Sequence, residues 1–345
     1  MNPNLQDAVA IFKELGWDRV TLKNLPELPP CTAEQKKAAL AALKSGEWVT
    51  WDSNGRVQRY FDEDEGKLAL FAVSVGVDAR RAANILTRTP NVELITEVIA
   101  RRGAKYAADF IGFACISRNR WWEHSASLFG NVAVRLVDTL GLDIPQSVEY
   151  IKDWSVYASN AMQVPSELLH GEKDPPSLEL IQKRFSEHVQ VGIALNTPAT
   201  GPFGAVFPEG VKRGQFSREE AIRLAFSALD ASVRPGDRKI WLRVLDELNI
   251  SDEEICKRAQ SLIPLLAMSD IAVIDRLAPV LIANVTEDLV VEVIASALSA
   301  TTKKSRTKAG FAHNPKCSAR IQKPGVRSQN KDEGHAACGP QVASI

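Results

Sequence analysis

The sequence predicts an all-α protein, a HEAT-like α-helical repeat solenoid with room for one small N-terminal hairpin. Three observations carry this. Apolar residues recur at helical spacing through most of the body, beginning with Leu5, Val9, Phe12 and Leu15 on one face of a first helix. A capped helix start returns three times in the last part of that body, at intervals of 34 and then 35 residues. The composition, 45% hydrophobic and 24% charged over 345 residues, suits two ordinary domains or one elongated array. It excludes a wholly disordered chain, a collagen and a disulfide-dense mini-protein.

Taken in order, the first helix stops at Gly16, and Pro26, Pro29 and Pro30 mark a connection. Thr32 opens the next helix and Gln35, three residues on, completes a capping box; the helix ends at Gly46. Residues 47–61 alone argue for strands. There Trp48-Val49-Thr50-Trp51 and Val57-Gln58-Arg59-Tyr60-Phe61 flank the turn-forming Asp52-Ser53-Asn54-Gly55. Such a hairpin needs helices to pack on, because a lone one is marginal. The acids Asp62-Glu63-Asp64-Glu65 precede a helix, where carboxylates favour the positive dipole end, so no cation is needed to explain them. Short helices follow over 67–75, 79–87, 92–102 and 105–117, then longer ones over about 123–140 and 145–160, the last with Pro145 in its first turn. A linker over 161–176 carries Pro165, Pro175 and Pro176, and a helix over 177–195 follows.

Residues 196–214 contain Pro198, Gly201, Pro202, Gly204, Pro208, Gly210 and Gly214 without a period, and read as a linker loop. The expected organisation is therefore an N-terminal helical region (1–195), that linker (196–214), C-terminal repeats (215–300) and a basic disordered tail (301–345). Within the repeats, Phe216-Ser217-Arg218-Glu219-Glu220 returns as Ile250-Ser251-Asp252-Glu253-Glu254 and, more loosely, as Val285-Thr286-Glu287-Asp288. Each places an apolar residue before the capping Ser or Thr, and the first two have Glu three residues after it. Second helices over 237–248 and 270–283 lie between these starts. Each unit is then a helix pair that buries its apolar faces only by stacking on neighbours. Pro264 and Pro279 interrupt two of the apolar runs and should kink their helices.

Residues 215–281 resemble a bacterial helical-repeat family, domain of unknown function 6493. The likeness rests on Phe216-Ser217-Arg218-Glu219-Glu220, Ala228-Leu229-Asp230, Pro235-Gly236-Asp237-Arg238-Lys239 and Trp241-Leu242. It continues through Val244-Leu245-Asp246, Pro264-Leu265-Leu266 and Arg276-Leu277-Ala278-Pro279, and more weakly over 95–110. The resemblance implies HEAT-type repeats and brings no catalytic residue with it. It also implies a further apolar helix after Thr301-Thr302-Lys303-Lys304. This chain gives scattered Gly and Pro there, as a shifted reading frame, a replaced C-terminus or an array lacking its terminal cap would.

The formal net charge of zero hides an asymmetry: residues 301–345 carry +7 and the body −7. An acidic body repels phosphates, whose neutralisation by Lys and Arg supplies most non-specific nucleic-acid affinity. The basic tail reads as solvated and mobile. There is no apolar run of about 18 residues to span a membrane. The N-terminal residues lack the basic and apolar regions of a secretory signal. Five scattered cysteines (Cys31, Cys115, Cys256, Cys317, Cys338) suggest free thiols in a reducing compartment, and the expected location is cytoplasmic.

No constellation of chemical groups outweighs its plainer reading, so no catalytic, cofactor-binding or metal-binding residue and no cofactor is assigned. His313, Cys317, His335 and Cys338 are zinc-ligand types, but in an order unlike the common arrangement and within the irregular tail. Cys115 sits in an apolar run, which suits an inert buried thiol better than a nucleophile paired with His124. His170 and His188 have no motif around them. Neither a phosphate loop nor a dinucleotide turn occurs. Adjacent Trp121 and Trp122 cannot both face one core, which makes one of them a partner anchor or a contact to the next repeat. The leading reading is a non-catalytic repeat scaffold binding another protein. The alternative is a nucleic-acid enzyme resembling HEAT-like alkylated-base DNA glycosylases, which the seven tryptophans suit and the −7 body opposes. A zinc-dependent tail module ranks third.

Overall fold

Many helix starts in this chain are set by side chains that satisfy first-turn N–H groups. In the computed structural model, which describes residues 3–44, 48–51, 57–59, 64–88, 91–115, 129–162, 177–267 and 271–299, the Thr32 hydroxyl accepts from the Gln35 N–H at 3.2 Å. The Gln35 side chain accepts in turn from the Thr32 N–H at 3.0 Å. The side chains of Asp64, Asp78, Asn91, Ser147, Ser177 and Ser217 likewise accept from first-turn N–H groups. Ser251 and Glu254 exchange both bonds of a capping box, at 3.2 and 2.9 Å, as the recurrence predicted.

The regular elements among the described residues are helices apart from one strand pair. The helices are α1 (Pro3–Glu14), α2 (Ala33–Leu43), α3 (Glu65–Val75), α4 (Ala79–Ile85), α5 (Val92–Ala100), α6 (Ala104–Ala114) and α7 (Gly130–Thr139). They continue as α8 (Val148–Ala161), α9 (Leu178–Lys183), α10 (Phe185–Ala194), α11 (Pro202–Lys212), α12 (Arg218–Ala231) and α13 (Pro235–Glu247). The last are α14 (Asp252–Cys256), α15 (Ala259–Leu266), α16 (Ile271–Asn284) and α17 (Glu287–Ser299). Strands β1 (Val49–Trp51) and β2 (Val57–Arg59) pair antiparallel with Thr50 opposite Gln58, so the N-terminal hairpin forms; its turn lies outside the described residues.

Several boundaries differ from expectation, each for a local reason. The helix expected over 177–195 is two, because Arg184 (φ −129°, ψ 26°) leaves the helical region between α9 and α10. The one expected from Pro145 begins instead after Ser147, whose hydroxyl supplies the cap. Pro264 and Pro279 both lie inside helices, α15 and α16.

The expected linker at 196–214 contains α11, and this is the main correction. Phe203, Val206, Phe207 and Gly210 fall on one face and are all buried. Pro202 stands in the first turn, where its missing N–H costs nothing. Gly204 serves close packing rather than flexibility: a Cβ there would lie 2.0 Å from the Ala199 carbonyl oxygen.

The chain divides into two compact units, Met1–Glu254 and Ile255–Ile345, so the boundary is not at 196–214. In the first unit the main packings are local in chain order. Helix α1 packs on α2 and α3, α3 on α5, α4 on α6, and α5 on α7. Further along, α7 packs on α8, α8 on α10 and α11, α10 on α12, and α11 and α12 on α13. Rings link this second stretch: Trp154 meets Phe185 (5.4 Å), Phe185 meets Phe216 (5.7 Å), Phe216 meets Phe207 (5.5 Å) and Phe207 meets Trp241 (5.4 Å). In the second unit α15, α16 and α17 pack on one another. No helix among the described residues is long and apolar enough to cross a membrane. The expected disordered tail, 301–345, lies outside the described residues.

Candidate functional site

A cleft of about 320 Å³ opens in the first unit where four chain segments converge. Gly16, in the left-handed region (φ 76°), ends α1 and turns the chain into the helical turn Trp17–Arg19. Trp17 and, eight residues on, Leu25 are buried and form part of the lining. Leu28, extended before Pro29 as a residue preceding proline should be, leads through Pro29-Pro30 to Cys31. The Thr32 cap then starts α2 and places Lys36 at the rim. The far wall comes from Ser74 and Val75 at the end of α3 and from Val98, Arg101 and Arg102 at the end of α5.

The charged lining residues are Lys36, Arg101 and Arg102, all basic, in a body whose net charge is −7. Both arginines are held in place by the protein. Arg101 donates through Nη1 to the Leu25 carbonyl at 3.0 Å and pairs through Nε with Glu97 at 2.9 Å. Arg102 donates to the Val73 carbonyl, and its guanidinium lies 4.2 Å from the centroid of the Tyr106 ring. Tyr106 is fixed in turn by donating to the Val77 carbonyl at 2.9 Å. Burial pushes the Tyr106 phenol up to about 12, against the pull of Arg102, so it remains a neutral donor. Desolvation likewise raises the Cys31 thiol, with Lys36 pulling it back.

A second polar cluster is closed. The His188 ring lies 4.7 Å from the Trp154 ring and almost parallel to it. Its Nδ1 contacts the Arg184 carbonyl at 2.9 Å and its Nε2 the Tyr150 hydroxyl at 3.0 Å. A carbonyl only accepts, so Nδ1 carries the proton and Nε2 accepts from Tyr150. Burial lowers the His188 pKa to about 4, which keeps the ring neutral. Asp138 is 7% exposed, neither carboxylate oxygen has a hydrogen-bond partner among the described residues, and burial raises its pKa to about 6 against the pull of Arg184 and Lys183. Both ring nitrogens of His188 are thus engaged inside the protein.

Of the residues singled out in the sequence, Cys115 is buried at the end of α6 and His188 is the histidine just described. Trp121, Trp122, His124, His170 and the His313, Cys317, His335, Cys338 set lie outside the described residues. Among the described residues no group of three or more His, Cys, Asp or Glu is placed to hold a metal. Sequence reasoning missed Lys36, Arg101 and Arg102. The one available signal was two arginines ending an apolar helix, a common helix end.

Comparison of the chain with family models, curated proteins and solved structures finds no match.

Proposed function

We propose that this chain is a HEAT-like helical-repeat solenoid, related to domain of unknown function 6493, which binds another protein and carries out no catalysis. The observation that carries the reading is the order of packing. In the first unit the main helix–helix packings join elements no more than three apart in the chain, the nearest-neighbour pattern of stacked repeats. The joint between successive repeat starts supports it. Arg218, just after the Ser217 cap, pairs with Glu254 of the Ser251 cap at 2.6 Å. It also donates to the Leu248 and Asn249 carbonyls at 3.0 and 2.8 Å. Helix α17 leaves Val291 and Leu298 exposed one heptad apart, an apolar face of the kind a protein partner covers. The five scattered cysteines fit a cytoplasmic setting.

The test uses the full chain at physiological salt. A partner identified by crosslinking should reconstitute a stoichiometric complex from purified components, and duplex or damaged DNA should not bind. Micromolar or tighter DNA binding that weakens steeply with salt would put the glycosylase-like reading ahead.

A further inference from the structure

We propose that the cleft beside Trp17 is a binding site for a small amphipathic monocarboxylate, its apolar body against Trp17 and its carboxylate against the Arg101–Arg102 pair. The proposal stands apart from the scaffold reading and does not depend on it.

Size comes first. Small-molecule sites occupy about 300–1,000 Å³, and this cleft, at about 320 Å³, lies at the lower end. At about 30 Å³ for each water-sized atom, it takes a ligand of roughly ten heavy atoms. Chemistry follows from the lining. Trp17, Leu25, Val75 and Val98 supply an apolar floor, each no more than 6% exposed. Around it the charged side chains of the described residues, Lys36, Arg101 and Arg102, are cationic. That is opposite in sign to the body, so the charge at the cleft does not follow from composition.

The arginines do have structural duties, but these do not exhaust them. A guanidinium has five N–H donors. Arg101 uses Nη1 on Leu25 and Nε on Glu97, while Arg102 uses Nη1 on Val73. Among the described residues Arg102 keeps its Nε and Nη2 donors, the planar edge that suits a carboxylate, and Arg101 keeps Nη2, both on groups already oriented. Lys36 adds a third cation from α2.

A small molecule fits this site better than an extended peptide. One wall is Pro29-Pro30, which has no N–H to offer, so a peptide main chain finds no strand-like pairing there. The lining comes from segments 17–31, 36, 74–75 and 98–102, which meet around one recess rather than along an open edge.

The experiment is calorimetric titration of the full chain with octanoate, octylamine and octanol, read alongside Trp fluorescence. Octanoate should bind one-to-one with a dissociation constant of about 1 mM or tighter, a modest demand for ten heavy atoms. Octylamine and octanol should bind at least about tenfold more weakly. Arg101→Gln with Arg102→Gln should weaken octanoate by a similar factor. Because those arginines also hold the fold, Lys36→Glu provides the control. Lys36 is exposed, and its reversal should leave the circular dichroism unchanged while weakening octanoate at least about threefold. Equal binding of octylamine, no saturation by octanoate, or an unchanged affinity in Lys36→Glu would each overturn the proposal. An acidic peptide that bound far tighter than octanoate would do the same, by assigning the cleft to a protein ligand.

Discussion

Two stretches of this chain are dense in helix breakers, residues 25–30 and 196–214, and they fold differently. The first keeps to one short helical turn, Leu25–Glu27, and an extended run into Pro29-Pro30, and it lines a cleft. The second forms α11, whose buried face includes Phe203 and Phe207. The number of prolines and glycines does not separate them. What separates them is where the large apolar groups fall and what receives them. Phe203 and Phe207, one turn apart, meet Trp241 of α13 at 6.1 and 5.4 Å. In the first stretch Leu25 is buried alone, and its carbonyl is taken by Arg101 from another helix.

The strongest way to break this contrast is Phe207→Ala. It removes the ring between Phe216 and Trp241 and should cost about 3–5 kcal/mol. Leu28→Ala, at a half-buried site in the first stretch, should cost clearly less. Denaturant midpoints measure both, and equal losses would show that aromatic burial does not hold the second stretch. Next comes Gly204→Ala. Alanine favours a helix by about 1 kcal/mol over glycine. Here its Cβ would collide with the Ala199 carbonyl, so a net loss of about 1–3 kcal/mol is expected. A gain in stability would mean that glycine sits there for turn-making after all.

Smaller effects concern the caps, which need only one side chain. Ser251→Ala should lower stability by about 1 kcal/mol, and an unchanged midpoint would place the helix start elsewhere. The smallest is Glu254→Gln. The Arg218 guanidinium, helped by the Ser251 N–H, holds the Glu254 carboxyl down at about 2. A depressed carboxylate stabilises the fold above its ordinary unfolded value, about 4.3, and loses that contribution as pH falls through about 2. Variant and wild type should therefore differ slightly near neutral pH and converge in acid, the difference kept small by solvent screening. A gap that persisted at pH 2 would point to lost packing rather than lost charge.

The caps were legible because a capping box is a spacing of three residues, and Thr32–Gln35 and Ser251–Glu254 fell where read. Most helices were legible from periodicity for the same local reason. Helix α11 was not, since seven prolines and glycines between 198 and 214 masked the four-residue step from Phe203 to Phe207. The cleft was illegible in principle, because Trp17, Lys36, Val75 and Arg102 become neighbours only after three helices have docked. The same holds for Tyr150 and His188, 38 residues apart, whose contact no local pattern announces.

The local order of packing has a consequence for synthesis. A helix of the first unit finds its main partners among the few helices made just before or just after it. Such a chain can bury its apolar faces progressively as it leaves the ribosome, without holding early segments exposed until the end. The Leu25 side of the cleft is completed late by this measure, because Arg101, which takes the carbonyl of Leu25, is made 76 residues after that leucine. The cleft is therefore among the later features of its neighbourhood to take shape during translation.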